Sequence, residues 1–223
     1  MRIAIDGPSG SGKSVLAKGI AKKYNIVYVD TGALYRAVGL FVMRRGIDKF
    51  DSVTVVGTLA NISISLEYSA EEGQKVMLCG ENVNDYIRTP EVSLYASAVS
   101  AIPQVREFLL GTQQDIIAAN SVVMDGRDIG TVIMPNADVK FFLTADVNER
   151  AHRRHAELIA RGLDDSYEQV LADMKTRDHN DSTRENAPAV AANDAIILDN
   201  TGYKCEQTLD KAVKIIEERL GLQ

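Results

Sequence analysis

The chain has 223 residues, 45% hydrophobic and 25% charged, and its 31 acidic and 25 basic side chains leave a net charge of −6. That length and composition suit a globular protein of one domain with an insertion, and no apolar run is long enough for a membrane span. The acidic balance argues against sequence-independent nucleic-acid binding, and the two distant cysteines, Cys79 and Cys205, exclude a disulfide framework.

The first element is Ile3-Ala4-Ile5-Asp6, an apolar run that predicts a buried strand. No signal-peptide pattern precedes it, so the expected compartment is the cytoplasm. GPSGSGKS follows at residues 7–14 and fits GxxxxGK[ST], and the helix-compatible stretch 15–21 comes straight after. Strand, glycine-rich loop and helix in that order make a phosphate-binding loop. Gly7, Gly10 and Gly12 let the backbone turn tightly and aim its N–H groups at one point. Lys13 can reach the β and γ phosphates as a point charge, and the Ser14 hydroxyl can join a Mg²⁺ shell.

The second strand candidate, 26–29, runs into Asp30-Thr31-Gly32-Ala33-Leu34-Tyr35-Arg36. There Arg36 can fork onto a phosphate and Tyr35 can pack a base or sugar. Ile62-Ser63-Ile64-Ser65-Leu66 then alternates with period two, a turn-like segment covers 69–73, and apolar residues resume at 76–78. This predicts a small antiparallel meander with one solvated face, too polar for a parallel core sheet. It reads as an inserted subdomain over about residues 60–88.

Three more apolar runs, at 122–124, 139–143 and 195–198, complete five strands separated by helical patterns. The expectation is an α/β fold, an open parallel five-stranded sheet flanked by helices. Ligands in such sheets sit beyond the carboxyl ends of the strands, where Asp6, Asp30, Asp125 and Thr144 fall. Asp125 ends its strand as a Walker B acid or as a turn cap, and the sequence leaves both open. Arg127 and Asp128 follow it, as a phosphate and base-edge pair or as a surface salt bridge.

The run ERAHRRHAELIARG carries Arg150, Arg153, Arg154 and Arg161, which can neutralise a moving phosphoryl group. His152 and His155 within it have no metal-ligand partners and read as surface residues. Arg177, Asp181 and Arg184 stand at i, i+4 and i+7 and share a face if the segment is helical. Alone, that spacing fits a solvated face with an ion pair equally well. The last helix places Leu209, Ala212, Val213, Ile216 and Leu220 on one face. No GxSxG elbow or Cys–His pair supplies a nucleophile, and phosphoryl transfer needs none.

GPSGSGKS, DTGALYR, the IRT–EV and VRE stretches, DGRDIGT, the ERAHRR run and the closing RD–ND–R pattern together resemble the bacterial cytidylate kinases. The resemblance spans nearly the whole chain, and DGRDIGT with DTGALYR is its most specific part. It implies one P-loop kinase domain over 1–223, a nucleoside-monophosphate-binding insertion at 60–100, and a short lid at 150–166. It implies transfer of the ATP γ-phosphoryl to CMP or dCMP with Mg²⁺. ATP would lie on Gly7, Ser9, Gly10, Ser11, Gly12, Lys13, Ser14 and Val15, and the metal on Ser14 and Asp125. Thr31, Tyr35, Arg36 and Arg127 would approach the CMP phosphate and base, and Ser97, Arg106 and Asp128 would read the cytosine. Arg177 and Asp181 would take the pentose hydroxyls and Arg184 the monophosphate. Lys13, Arg127, Arg154 and Arg184 would be the catalytic cations. The family often has Ser at the position of Thr31, and the hydroxyl is kept. The expected partners are ATP, CMP and dCMP, with no nucleic acid, no membrane, and a monomeric state. The rivals are a kinase for another small acceptor, a nucleotide-dependent switch, or an ATPase; no guanine-reading NKxD motif is present.

Overall fold

The structure, a computed structural model, describes residues 1–69 and 73–222. Residues 70–72, inside the turn expected at 69–73, lie outside the described residues. In chain order the elements are β1 (Arg2–Asp6), α1 (Lys13–Tyr24), β2 (Val27–Asp30), α2 (Thr31–Arg44), α3 (Ser52–Thr58), β3 (Ile64–Ser69), β4 (Gly73–Leu78), β5 (Glu81–Asn82), α4 (Pro90–Val99), α5 (Pro103–Ala119), β6 (Val122–Gly126), β7 (Val139–Thr144), α6 (Val147–Ala160), α7 (Tyr167–Thr183), β8 (Ile196–Asp199) and α8 (Cys205–Leu220). They fall into two compact units, one of Met1–Tyr28 with Ser121–Gln223, the other Val29–Asn120.

The first unit is built on the five-stranded sheet the apolar runs predict, in the order β2-β6-β1-β7-β8. β1 is central and parallel to both neighbours, with Ile5 opposite Asp125 on β6 and opposite Phe141 on β7. Ile3, Ile5, Val123, Phe141 and Leu143 are buried against Leu16 and Ile20 of α1 and Ala212 and Ile216 of α8. Each such side chain stabilises the fold by roughly 1.5–3 kcal/mol relative to exposure. β1 must then turn sharply into the loop. Gly7 sits at φ 146°, and a Cβ there would overlap the Leu143 carbonyl, so only glycine fits. A second core, Ala151, Leu158, Val170 and Met174, joins α6 to α7. Asp146 caps α6 by accepting the Asn148 and Glu149 N–H groups, and Ser166 caps α7 through Gln169.

The second unit contains the predicted antiparallel sheet, in the order β3-β4-β5, with Ile64 opposite Leu78 and Leu66 opposite Val76. Val76 and Leu78 are buried while Ser65 and Glu67 are exposed, which is the alternation read from the sequence. The unit extends beyond residues 60–100. Leu34, Val38 and Val42 of α2 bury in the same core as Val92 and Val99 of α4 and Val105 and Leu109 of α5. Cys79 and Cys205 are free. No helix among the described residues is long and apolar enough to cross a membrane.

α2 and α4 meet at Gly39, where an added Cβ would stand 2.8 Å from the Ala96 backbone nitrogen. Ala normally improves a helix by about 0.5–1 kcal/mol over Gly, but a clash with backbone cannot be relieved by a rotamer. Gly39→Ala is therefore expected to destabilise the protein by roughly 1–3 kcal/mol, read as a lower denaturant midpoint. An unchanged or raised midpoint would show that the two helices can separate freely.

Candidate active site

In the first unit the loop leaves β1 and enters α1, whose N-cap is Gly12 at φ 90°. Lys13 is buried and donates from Nζ to the Pro8 carbonyl at 2.7 Å, so its ammonium is folded over the loop. Burial, and after it the nearby Arg127 charge, push Lys13 well below the ordinary lysine range, while Asp125 and Asp6 oppose the shift. An anion in the loop would relieve both effects. Ser14 Oγ donates to Asp125 Oδ2 at 2.8 Å, and the Tyr28 hydroxyl donates to Asp125 Oδ1 at 2.9 Å. A hydroxyl beside a buried carboxylate presents the hard oxygen donors that suit a small divalent cation keeping most of its water. Ser14 and Asp125, the two residues expected at the metal, thus stand within hydrogen-bond distance of each other. The Tyr28 contact was not foreseen, although Tyr28 sits in the second strand run.

A second cluster in this unit surrounds Asp181. Arg127 Nε donates to Asp181 Oδ2 at 2.8 Å; Arg177 Nε lies 3.9 Å from the same oxygen and Arg184 Nη1 4.0 Å from Oδ1. Burial opposes the charge on Arg127, but the Asp181 charge and hydrogen bond outweigh it and hold the guanidinium charged. Burial likewise works to raise the Asp181 pKa, yet Arg127, Arg177 and Arg184 together bring it below the ordinary value. Three guanidinium groups thus gather around one carboxylate. The predicted i, i+4, i+7 face is only partly helical. α7 ends at Thr183, and Arg184 is its extended C-cap, with Nε donating to the Ala187 carbonyl at 2.7 Å.

Asp128 is buried and opens a single π-helical turn, Ile129–Ile133. Asp6, unassigned from sequence, anchors that turn by accepting the Ile129 and Gly130 N–H groups at 2.8 and 2.7 Å. Its burial raises its pKa to about 6, against the pull of those two hydrogen bonds.

The arginines of α6 do not act as one group. Arg150 is buried and donates to the Ala145 and Ser9 carbonyls and to Asp178. Arg153 bonds Glu149 and the Asn200 side chain. Arg154, the predicted catalytic member, is paired with Glu157 at 3.2 Å. His152 and His155 are not without partners: His152 stacks on Tyr167 with centroids 4.2 Å apart, and His155 meets the same ring edge-on at 6.2 Å.

The second unit gathers most of the other predicted acceptor residues. Arg36 Nη2 donates to Asp30 Oδ2 at 2.8 Å, and Arg88 Nη2 reaches the same oxygen at 3.4 Å. Asp30 also caps α2 through the Ala33 N–H, and Thr31 is buried in the first turn. The Arg106 guanidinium lies 5.3 Å over the Tyr35 ring and donates to the Ser100 carbonyl, while the Ser100 hydroxyl donates to the Ser97 carbonyl. Arg88 was not singled out, although it lies in the IRT stretch.

Comparison with known proteins places the geometry in context. The family model described as cytidylate kinase matches residues 3–218. The chain is 48% identical over 216 residues to the cytidylate kinase of Carboxydothermus hydrogenoformans, covering 97% of each. It is 46% identical over 215 residues to the cytidylate kinase of Caldicellulosiruptor bescii, covering 96% of this chain and 95% of that one. Among solved structures, an uncharacterized protein from Eubacterium ventriosum aligns over 98% of both chains with TM-score 0.51 and 16% identity, a likeness of fold alone.

The two shifted carboxyls predict opposite pH dependences. Asp181, lowered in the folded state, stabilises the fold above the unfolded value of 3.8, and this is lost as pH falls through its folded pKa. Asp6, raised from 3.8 to about 6, favours folding most below the unfolded value and loses about 3 kcal/mol as pH rises through the folded one. Carboxyl-carbon NMR is expected to place the Asp6 midpoint near 6 and that of Asp181 below the ordinary aspartate range. Midpoints at ordinary values for both would contradict the burial and pairing described.

Proposed function

We propose, from the premise that this chain belongs to the cytidylate kinase family, that it transfers the γ-phosphoryl group of ATP to CMP and dCMP. The observation that carries the reading is the charge arrangement of the first unit, with a buried loop lysine and three arginines around one carboxylate. Phosphoryl transfer asks a protein for positioning and charge neutralisation more than for covalent chemistry, and this unit is built for both.

The backbone amides of Gly10 to Val15 and the Lys13 ammonium bind and orient the donor phosphates, while Gly7 and Ser9 shape the loop that presents them. Ser14 and Asp125 would hold Mg²⁺, which when bound neutralises donor-phosphate charge. Arg127, Arg177 and Arg184 take the acceptor phosphate and balance charge on the moving group. Asp181 gathers them around one carboxylate and, with Arg177, can hydrogen-bond the pentose hydroxyls. The exposed Arg154–Glu157 pair is worth little by itself, so Arg154 can exchange Glu157 for a donor phosphate. Arg36, Tyr35 and Thr31 serve the acceptor nucleotide, and Ser97, Arg106 and Asp128 read the cytosine edge. A wrong base would leave such polar groups unpaired, which costs more than a poor apolar fit. The insertion at 60–100 is the acceptor-binding region and residues 150–166 the lid, in a monomeric cytoplasmic enzyme.

Two variants test this reading. Lys13→Ala is expected to lower kcat by roughly a hundredfold or more with an unchanged circular dichroism spectrum. Asp128→Ala is expected to raise the KM for CMP about tenfold or more and to narrow the preference for CMP over UMP. Near-normal turnover by folded Lys13→Ala would remove the loop from the chemistry, and an unchanged acceptor preference in Asp128→Ala would remove Asp128 from base reading.

A further inference from the structure

The backbone of Ser9 is gripped at its N–H and at its carbonyl by side chains from distant parts of the first unit. Its N–H donates to Asp178 Oδ1 at 3.1 Å. Its carbonyl accepts from Arg150 Nη1 at 2.9 Å, and the same nitrogen donates to Asp178 Oδ2 at 2.5 Å. Arg150 is 6% exposed and is fixed further by Nε donating to the Ala145 carbonyl at 2.9 Å. Asp178 and Arg150 therefore close a ring of hydrogen bonds around one residue of the phosphate-binding loop, fixing the peptide on each side of its Cα. The bonds are charge-assisted and largely shielded from water, so they exceed ordinary loop contacts in strength.

The grip extends to the neighbouring residues. A Cβ at Gly10 would lie 2.8 Å from Met174 Cε and 3.3 Å from the Arg150 carbonyl, so α6 and α7 close directly on the loop. Met174 belongs to the core that joins those helices, and Asp178 lies one turn beyond it on α7. The Ser11 carbonyl is held as well, by the Asn200 amide at 2.9 Å, and Arg153 bonds Asn200 in turn. Side chains thus hold the loop from outside through its carbonyls at Ser9 and Ser11. An anion-binding loop works only if its amides converge, and a flexible glycine-rich segment does not converge unaided.

We propose that Asp178, braced by Arg150, is the positioning residue that sets the phosphate-binding loop for the donor nucleotide. Arg150 is then a brace rather than a ligand of the donor, in contrast to Arg154. This inference rests on the kinase reading, but it concerns donor binding alone and is separable from the identity of the acceptor. Asp178 touches no reacting atom; it acts through the Ser9 peptide and the position of Arg150.

The test is calorimetric titration of ADP into the full chain and into Asp178→Ala and Asp178→Asn, with steady-state kinetics alongside. Loss of a buried charge-assisted bond predicts a roughly tenfold to hundredfold weaker ADP affinity for Asp178→Ala, with the KM for CMP unchanged. Asp178→Asn, which keeps the shape and one acceptor for the Ser9 N–H, is expected to lose less. It also serves if the alanine variant does not fold. Adding Arg150→Lys to Asp178→Asn is expected to cost less than the sum of the two single changes, because the two side chains bond each other and hold one residue. Unchanged ADP affinity in a folded Asp178 variant, even one of lower melting temperature, would overturn the proposal. So would an equal rise in the KM values for ATP and CMP. Failure of the unaltered protein to bind ADP would overturn the nucleotide reading itself, and the proposal with it.

Discussion

The site of the first unit depends on the register of β1 between two parallel neighbours. With Ile5 opposite Asp125 and Asp6 opposite Gly126, the start of the loop and the end of β6 come out of the sheet side by side. That is why Ser14 can reach Asp125 although 111 positions separate them in the chain. The Asp6 carboxylate locks the arrangement from within the sheet by holding the Ile129 and Gly130 amides. A slip of one residue would move Ile5 off its place opposite Asp125 and carry Asp6 off those amides.

Electrostatics then decide what such a scaffold can hold. Lys13 is buried with Arg127 nearby, and Arg127, Arg177 and Arg184 gather around Asp181. Burying like charges is costly, and the Asp181 bonds offset that cost by fixing each guanidinium where its carboxylate partner can serve it. The charge is thus organised before any nucleotide arrives, which is what positioning catalysis needs, because less reorganisation remains for the reaction itself.

Much of this was legible in the sequence where the physics is local. Five short apolar runs ending in polar residues marked the parallel sheet, and period-two alternation at 62–66 marked the antiparallel one. GPSGSGKS carried its own context, and DGRDIGT placed Arg127 and Asp128 after a strand. What escaped depends on contacts between residues far apart in the chain. Arg150 looked like its neighbours in an arginine-rich helix, and only the fold brings it to Ser9 and Asp178. Tyr28 reads as one more apolar strand residue until its hydroxyl meets Asp125. Arg184 fits a helical spacing, yet the helix stops one residue earlier, without a glycine to announce the end. His152 and His155 gain Tyr167 only because α6 and α7 pack together.

The central claim is that this charge arrangement serves transfer to a cytidine monophosphate rather than to water or another acceptor. The measurement that tests it most directly is ADP release by the purified protein with ATP and Mg²⁺, compared across CMP, dCMP, UMP, AMP, GMP, shikimate and no acceptor. The account predicts rapid release with CMP and dCMP and only a slow background otherwise. Release at the same slow rate whatever the acceptor, or fast release with a chemically unrelated one, would contradict it.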